Sequence, residues 1–179
     1  MLKPDNTALI LIDIQGKLAT LMHDKDALYR NLQILVQGVQ ALEVPIFWIE
    51  QYPEGLGPTI PELGELLKDQ QPFPKRCFSA CGQPDFYRQL QKSGRRQILL
   101  AGIETHICVY QTARDLLTAG YHVETVADAI SSRTAANKTI GLEKMASAGA
   151  QTTSVETALF ELLRRADVAA FKQIARLVK

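Results

Sequence analysis

The chain has 179 residues, 46% of them hydrophobic and 22% charged, which suits one soluble domain (residues 1–179) with a proper core. Its 20 basic residues stand against 19 acidic ones, a net charge of +1, so there is no electrostatic case for a nucleic-acid partner or an anionic membrane. Three cysteines without framework spacing fit a reducing cytoplasm better than a disulfide scaffold.

Met1 to Asn6 runs directly into an apolar stretch too short for a signal-peptide core or a membrane span, so a soluble, cytoplasmic protein is expected. Thr7 to Asp13 reads as a strand buried on both faces, because Ala-Leu-Ile-Leu-Ile is continuous rather than alternating. Ala27 to Leu42 is an amphipathic helix with Leu28, Leu32, Leu35, Val36 and Val39 on one stripe. Val44 to Glu50 is a second strand. Gln51 to Ala80 is irregular and rich in Pro and Gly, as in a fixed loop over the rim of a sheet. Within it, Pro72 to Ala80 reads as a short extended piece, with Lys75 and Cys77 on one face and Arg76 on the other.

Pro84 to Lys92 reads as a short helix and Arg96 to Ala101 as a third strand, broken by Gly102. A helix then starts near His106 or Ile107, carries Ile107, Tyr110, Ala113 and Leu117 at helical spacing, and ends at Gly120. A strand at His122 to Ala127, a helix from Arg133 to Ala148 and a short strand at Gln151 to Ser154 follow. Helices at Glu156 to Arg165 and Val168 to Leu177 close the order. This alternation predicts an α/β fold, a three-layer α-β-α sandwich around a mostly parallel, Rossmann-like sheet.

In such sheets ligands bind outside the carboxyl ends of the strands. Asp13, Glu50, Gln51 and the Gly102–Cys108 segment all fall on that rim. An acid placed directly after five apolar residues needs a partner or a task; its alternative use is as a helix N-cap. Cys108 sits in the first turn of a helix after a strand, where unpaired amides and the macrodipole favour thiolate over thiol. That is a place for a covalent nucleophile, although a buried Cys is also a common packing residue.

Three segments carry a resemblance to a known family. Asp13 in Leu11-Ile-Asp-Ile-Gln15, Lys75 in Pro74-Lys-Arg-Cys-Phe-Ser79, and Cys108 in Ala101-Gly-Ile-Glu-Thr-His-Ile-Cys-Val109 resemble the isochorismatase-like hydrolase superfamily. Glu50 to Gly57 and Ser131-Ser-Arg133 resemble a metal-free branch of isochorismatase-domain proteins. The resemblance implies a Cys-Lys-Asp triad, with Cys108 as nucleophile and Asp13 as general base. Lys75 would hold Asp13 ionised and lower the thiol pKa. It also implies a cis Ile103–Glu104 peptide that aims the Glu104 amide, together with the Cys108 amide, at an oxyanion. The reaction implied is hydrolysis of a small amide or ureido C–N bond through a thioester.

Ile14, Gln15, Tyr52, Leu56, Phe78, Glu104 and Tyr110 are the expected pocket lining. Gln15, Tyr52, Phe78 and His106 are the candidate substrate-binding side chains. No cofactor is expected. Nor is a metal, because zinc-binding members of the superfamily use an Asp-x-His pair where this chain has Glu50-Gln51-Tyr52, and His23, His106 and His122 lie elsewhere. The expected partners are a small-molecule substrate and further copies of the chain in a homo-oligomer. The apolar face of Val168, Phe171, Ile174 and Leu177 either makes that contact or packs on the sheet. Two other readings stay open: a silent binding protein on the same fold, and a thiol redox protein in which Cys77 or Cys81 resolves Cys108.

Overall fold

A computed structural model describes residues 1–179. Six strands form one sheet: β1 (Thr7–Ile12), β2 (Ile46–Gln51), β3 (Phe73–Lys75), β4 (Gln97–Ile103), β5 (His122–Ser131) and β6 (Gln151–Thr153). Their order is β3-β2-β1-β4-β5-β6 and every pairing is parallel. The order reverses between β1 and β4, so the crevice outside those two strand ends is the topological switch point. Nine helices connect and cover the sheet: α1 (Gly16–Thr20), α2 (Lys25–Ala41), α3 (Pro53–Leu56), α4 (Pro61–Gly64), α5 (Pro84–Lys92), α6 (Tyr110–Thr118), α7 (Ala135–Ser147), α8 (Val155–Leu163) and α9 (Phe171–Leu177).

The three-layer reading holds because each central strand buries both faces. Leu9 and Leu11 pack with Leu32, Leu35 and Val39 of α2, Leu159 of α8 and Ile174 of α9. Ala8, Ile10 and Ile12 point the other way, onto Phe86 and Leu90 of α5 and Ala113 and Leu116 of α6. This is the two-residue period of a strand with a hydrophobic layer on each side. The apolar carboxyl-terminal face is used within the chain: Ile174 is fully buried against the core, while Val168 stays partly exposed.

Several boundaries differ from the sequence reading, each for a physical reason. Gly102 does not end β4. Its φ of +118° and the shift in register between Leu100 and Gly102 let the strand run on to Ile103. A Cβ at Gly102 would lie 2.1 Å from the Ile12 carbonyl oxygen, so only glycine permits β1 and β4 to close on each other here. The same irregularity carries β5 beyond Ala127 to Ser131, where Ser131 pairs with Ile103. The extended piece at Pro72–Ala80 joins the sheet as edge strand β3, pairing Gln51 with Lys75.

The helix after β4 begins with a π-helical turn, Thr105–Val109. The Val109 N–H donates five residues back, to the Glu104 carbonyl (3.3 Å). This wider turn shifts the helical phase. The buried stripe is therefore Val109, Thr112, Ala113 and Leu116, and Ile107, Tyr110 and Leu117 are only half-buried.

Candidate active site

Three side chains from distant parts of the sequence meet at the switch point. Asp13 directly follows β1, with a left-handed backbone (φ 55°) that Asp tolerates better than most residues. Lys75 is the last residue of β3 and reaches past the end of β2. Its Nζ donates to Asp13 Oδ2 at 2.8 Å and to Gln51 Oε1 at 2.5 Å. The side chains of this ion pair are 0% and 2% exposed. Asp13 therefore does not act as a helix cap: α1 is entered through Gln15, without a side-chain cap.

The second carboxylate oxygen, Asp13 Oδ1, is buried and has no hydrogen-bond partner in the protein. The Asp13 carboxyl group also interacts with the neighbouring Cys108 thiol. Thr112 holds the turn that carries Cys108. Its Oγ1 donates to the Cys108 carbonyl (2.7 Å) and accepts from the Ala80 N–H (2.9 Å), tying the turn to the segment after Phe78.

Burial raises the Asp13 carboxyl above its ordinary 3.8, with Lys75 pulling it down. Burial pushes the Cys108 thiol up to about 12; the Asp13 charge adds to that rise and Lys75 opposes it. The expected lowering at a helix N-terminus is therefore outweighed. Two amides of the turn, those of Ile107 and Val109, donate to the Glu104 carbonyl (3.0 and 3.3 Å). Burial thus favours a neutral thiol, beside a carboxyl group that Lys75 draws toward its ionised form.

Glu104 follows β4 through a cis Ile103–Glu104 peptide bond. Its side chain is 6% exposed and is clamped by Arg133, which donates from its backbone N–H (3.0 Å) and from Nε (3.1 Å) to Oε2. The Glu104 N–H donates to no other group in the protein.

These groups edge a cavity of about 150 Å³. Asp13, Gln51, Glu104 and Cys108 line its polar part, and Leu18, Leu56, Phe78, Ile103 and Ile107 line the rest. Of the side chains expected there, Leu56, Phe78 and Glu104 are present. Gln15, Ile14, Tyr52, His106 and Tyr110 lie outside the lining.

The reasons are specific. Gln15 is fully buried and braces the loop over the rim: its Nε2 donates to the Gln51 and Gly57 carbonyls (3.1 and 2.8 Å), and its Oε1 accepts from the Gln51 N–H (2.6 Å). Ile14 belongs to the core. Tyr52 turns outward beneath the Arg76 guanidinium, 4.2 Å from its ring. The His106 Nδ1 pairs with Ser132 Oγ (3.0 Å). Tyr110 lies under Lys144, whose Nζ is 4.9 Å from the ring centroid, in a separate depression between α6 and α7.

Gln51 and Arg133 are the site residues that sequence reasoning named without giving them a task. Gln51 carried one usable signal, its place at the end of a strand on the rim. Glu50 accepts from the Thr59 N–H and Oγ1, both at 2.7 Å. Trp48 Nε1 also donates to Thr59 Oγ1 (2.7 Å), so this acid anchors the loop. A Cβ at Gly16 would lie 2.1 Å from the Leu56 carbonyl oxygen, so glycine there is what lets the loop settle onto the rim.

Comparison with known proteins identifies the family. The isochorismatase domain family matches residues 7–157. The chain belongs to the isochorismatase family. A secreted isochorismatase effector of Phytophthora sojae is 37% identical, covering 98% of this chain and 86% of that protein. Mouse isochorismatase domain-containing protein 2A is 36% identical over 98% of this chain and 84% of the mouse protein.

Among solved structures, a MAR1 ribonuclease from Caenorhabditis elegans is 35% identical with a TM-score of 0.93, covering 99% of this chain and 91% of that one. YcaC from Pseudomonas aeruginosa, solved with hexane-2,5-diol and covalent acrylamide, is 26% identical with a TM-score of 0.91, covering 98% and 90%. No helix of this isochorismatase-family chain is long and apolar enough to cross a membrane. The Phytophthora relative is named as secreted, so family membership alone carries no cellular compartment.

Proposed function

We propose that the protein is a cysteine-dependent amidohydrolase that cleaves a small carbon–nitrogen bond through a thioester on Cys108. The observation that carries this reading is the buried Asp13–Lys75 pair beside a buried thiol, at the switch point of a parallel sheet. A buried ion pair is weak evidence for stability, since desolvation offsets much of the attraction. Its place against a nucleophile in a cavity favours a task.

In the proposed reaction the substrate carbonyl settles beside Cys108. As sulfur attacks, the thiol proton passes to Asp13, whose free Oδ1 is available to take it. With the thiol held near 12, transfer accompanies attack rather than preceding it. The oxyanion is met by the unpaired Glu104 N–H, with the Cys108 N–H as second donor. Asp13 then gives its proton to the departing amine, and the thioester forms as the C–N bond breaks. A water enters, Asp13 takes its proton, and hydroxide adds to the thioester. The acid leaves and the proton returns to sulfur, so each turnover restores the starting state. Lys75 keeps Asp13 oriented and offsets its charge, and Gln51 fixes the ammonium.

Covalent acrylamide on the P. aeruginosa relative fits a family site with a competent nucleophile. The redox reading has less support: burial pushes the Cys81 thiol up to about 12 as well, and Asp115 adds to that rise, which disfavours the thiolate that exchange requires. A ribonuclease activity like that named for the C. elegans relative also finds little support, because Lys75 and Arg133 are both engaged by carboxylates and no cation lines the cavity. The test is ammonia release from a panel of small amides. Turnover is expected to vanish in Cys108→Ala and to fall steeply in Asp13→Asn, both proteins remaining folded. Retained turnover in Cys108→Ala removes the mechanism.

A further inference from the structure

The cavity has an unusual polarity for a site that handles an amide. Each polar side chain on its wall except the reacting pair is already committed to another part of the protein. Glu104 is held by Arg133 through backbone and side chain. Gln51 accepts from Lys75 with its oxygen and donates to the Arg76 carbonyl with its nitrogen (3.0 Å). Lys75 itself is 0% exposed in its side chain. What remains facing the space is Leu18, Leu56, Phe78, Ile103 and Ile107.

We infer that the substrate is an uncharged primary amide with a short apolar acyl group, and that amides whose acyl group bears a carboxylate or an ammonium are excluded. This inference rests on the amidohydrolase reading and adds a substrate class to it. The size follows from the cavity, whose volume of about 150 Å³ accommodates a ligand of roughly benzene size, about six heavy atoms. The polarity follows from the wall. A charged acyl group would leave water and meet no unpaired opposite charge, which is strongly unfavourable. An anion finds Lys75 and Arg133 already paired with Asp13 and Glu104. An ammonium fares no better, because both acids already have a cation.

The chemistry balances with no further reagent. The amide and the Cys108 thiol give the thioester and ammonia, and water then gives the carboxylic acid and the free thiol. The product ionises on release, and the same apolar wall that admits the neutral amide disfavours the anion. Product expulsion and substrate choice thus have one cause.

Three amides of nearly equal size separate the possibilities: pentanamide, succinamate and 4-aminobutanamide. Each is titrated into Cys108→Ala protein, following binding by NMR shifts of cavity residues, and each is offered to wild type for ammonia release. Pentanamide is expected to bind saturably, at least a hundredfold more tightly than either charged amide, and to be the amide turned over. Phe78 lies at the rim and is 55% exposed, so Phe78→Lys should fold and should raise succinamate affinity at least tenfold.

Binding or turnover of a charged amide within tenfold of pentanamide overturns the inference. If that turnover proceeds with an acyl adduct on Cys108, the hydrolase reading survives it. Failure of pentanamide to bind also overturns the inference, as does Phe78→Lys without any gain for succinamate. Selective pentanamide binding without ammonia release upholds the apolar selection and removes the hydrolase instead.

Discussion

Replacing Asp13 with Asn separates two things that usually change together, the acidity of a nucleophile and the rate of its chemistry. In the folded protein the Cys108 thiol is pushed up to about 12 from an ordinary 9.0. At about pH 7 that leaves roughly one thiolate in 10⁵, against about one in 10² for the ordinary thiol, a thousandfold difference. Burial is the first cause and the Asp13 charge the second, with Lys75 pulling the other way. Asp13→Asn removes the second cause and leaves Lys75 without its counter-charge. The thiol should therefore become more acidic, by about 1–3 pH units, the range for a nearby charge.

Turnover should move in the opposite direction, falling about 10²- to 10⁴-fold for loss of a general base. Thiolate absorbance in the far ultraviolet, titrated as the difference between each protein and its Cys108→Ala counterpart, isolates this one group from the tyrosines and from Cys77 and Cys81. Ammonia release supplies the rate. A wild-type midpoint near or below neutral would mean a preformed thiolate and refute the reasoning. So would a midpoint that rises in Asp13→Asn.

Other outcomes follow from the same geometry. Lys75→Met leaves Asp13 buried without its cation and should destabilise the protein by about 3–5 kcal/mol in urea unfolding near neutral pH. Because the Asp13 carboxyl is raised in the fold, stability from its neutral form is fully present below 3.8 and is lost as pH rises through the raised value. The deficit of Lys75→Met should accordingly narrow in acid. Gly102→Ala sets a Cβ 2.1 Å from the Ile12 carbonyl oxygen; it should cost more than about 1 kcal/mol and reduce turnover by displacing Asp13. Arg133→Gln releases Glu104 and should lower kcat about tenfold or more with KM little changed, a loss that Arg133→Lys partly restores. Dialysis against a chelator should leave turnover unchanged, because Glu50 is occupied by Thr59.

The layers of the fold were legible in the sequence wherever hydrophobic runs decided them. The continuous Ala8–Ile12 run and the stripe of α2 could satisfy their burial in few other ways, and Pro84 to Lys92 carries its helix limits in its first proline and its last basic residue. The rim was less legible. Gly102 looks like a breaker in one dimension and is a close-contact residue in three. The π-turn before α6 moves the buried stripe by one residue, and nothing local in Thr105–Val109 announces it. Gln15 stood beside Asp13 in sequence yet turns into the loop above it, because the amides and carbonyls of Gln51 and Gly57 need a buried partner. The thiol's acidity was read from a helix end and from Lys75; burial and a neighbouring carboxylate, both tertiary, reverse its direction.

The most direct test of the account is acid-quenched turnover of an accepted amide, followed by peptide-level mass spectrometry and ammonia measurement on wild type and Cys108→Ala. The acyl mass is expected on the Cys108 peptide during steady-state turnover, with its transfer to hydroxylamine as a hydroxamate and no ammonia from Cys108→Ala. Undiminished ammonia release by Cys108→Ala would contradict it. Saturable binding of the amide by wild type with neither adduct nor ammonia would also contradict it, and would leave a binding protein on the same fold.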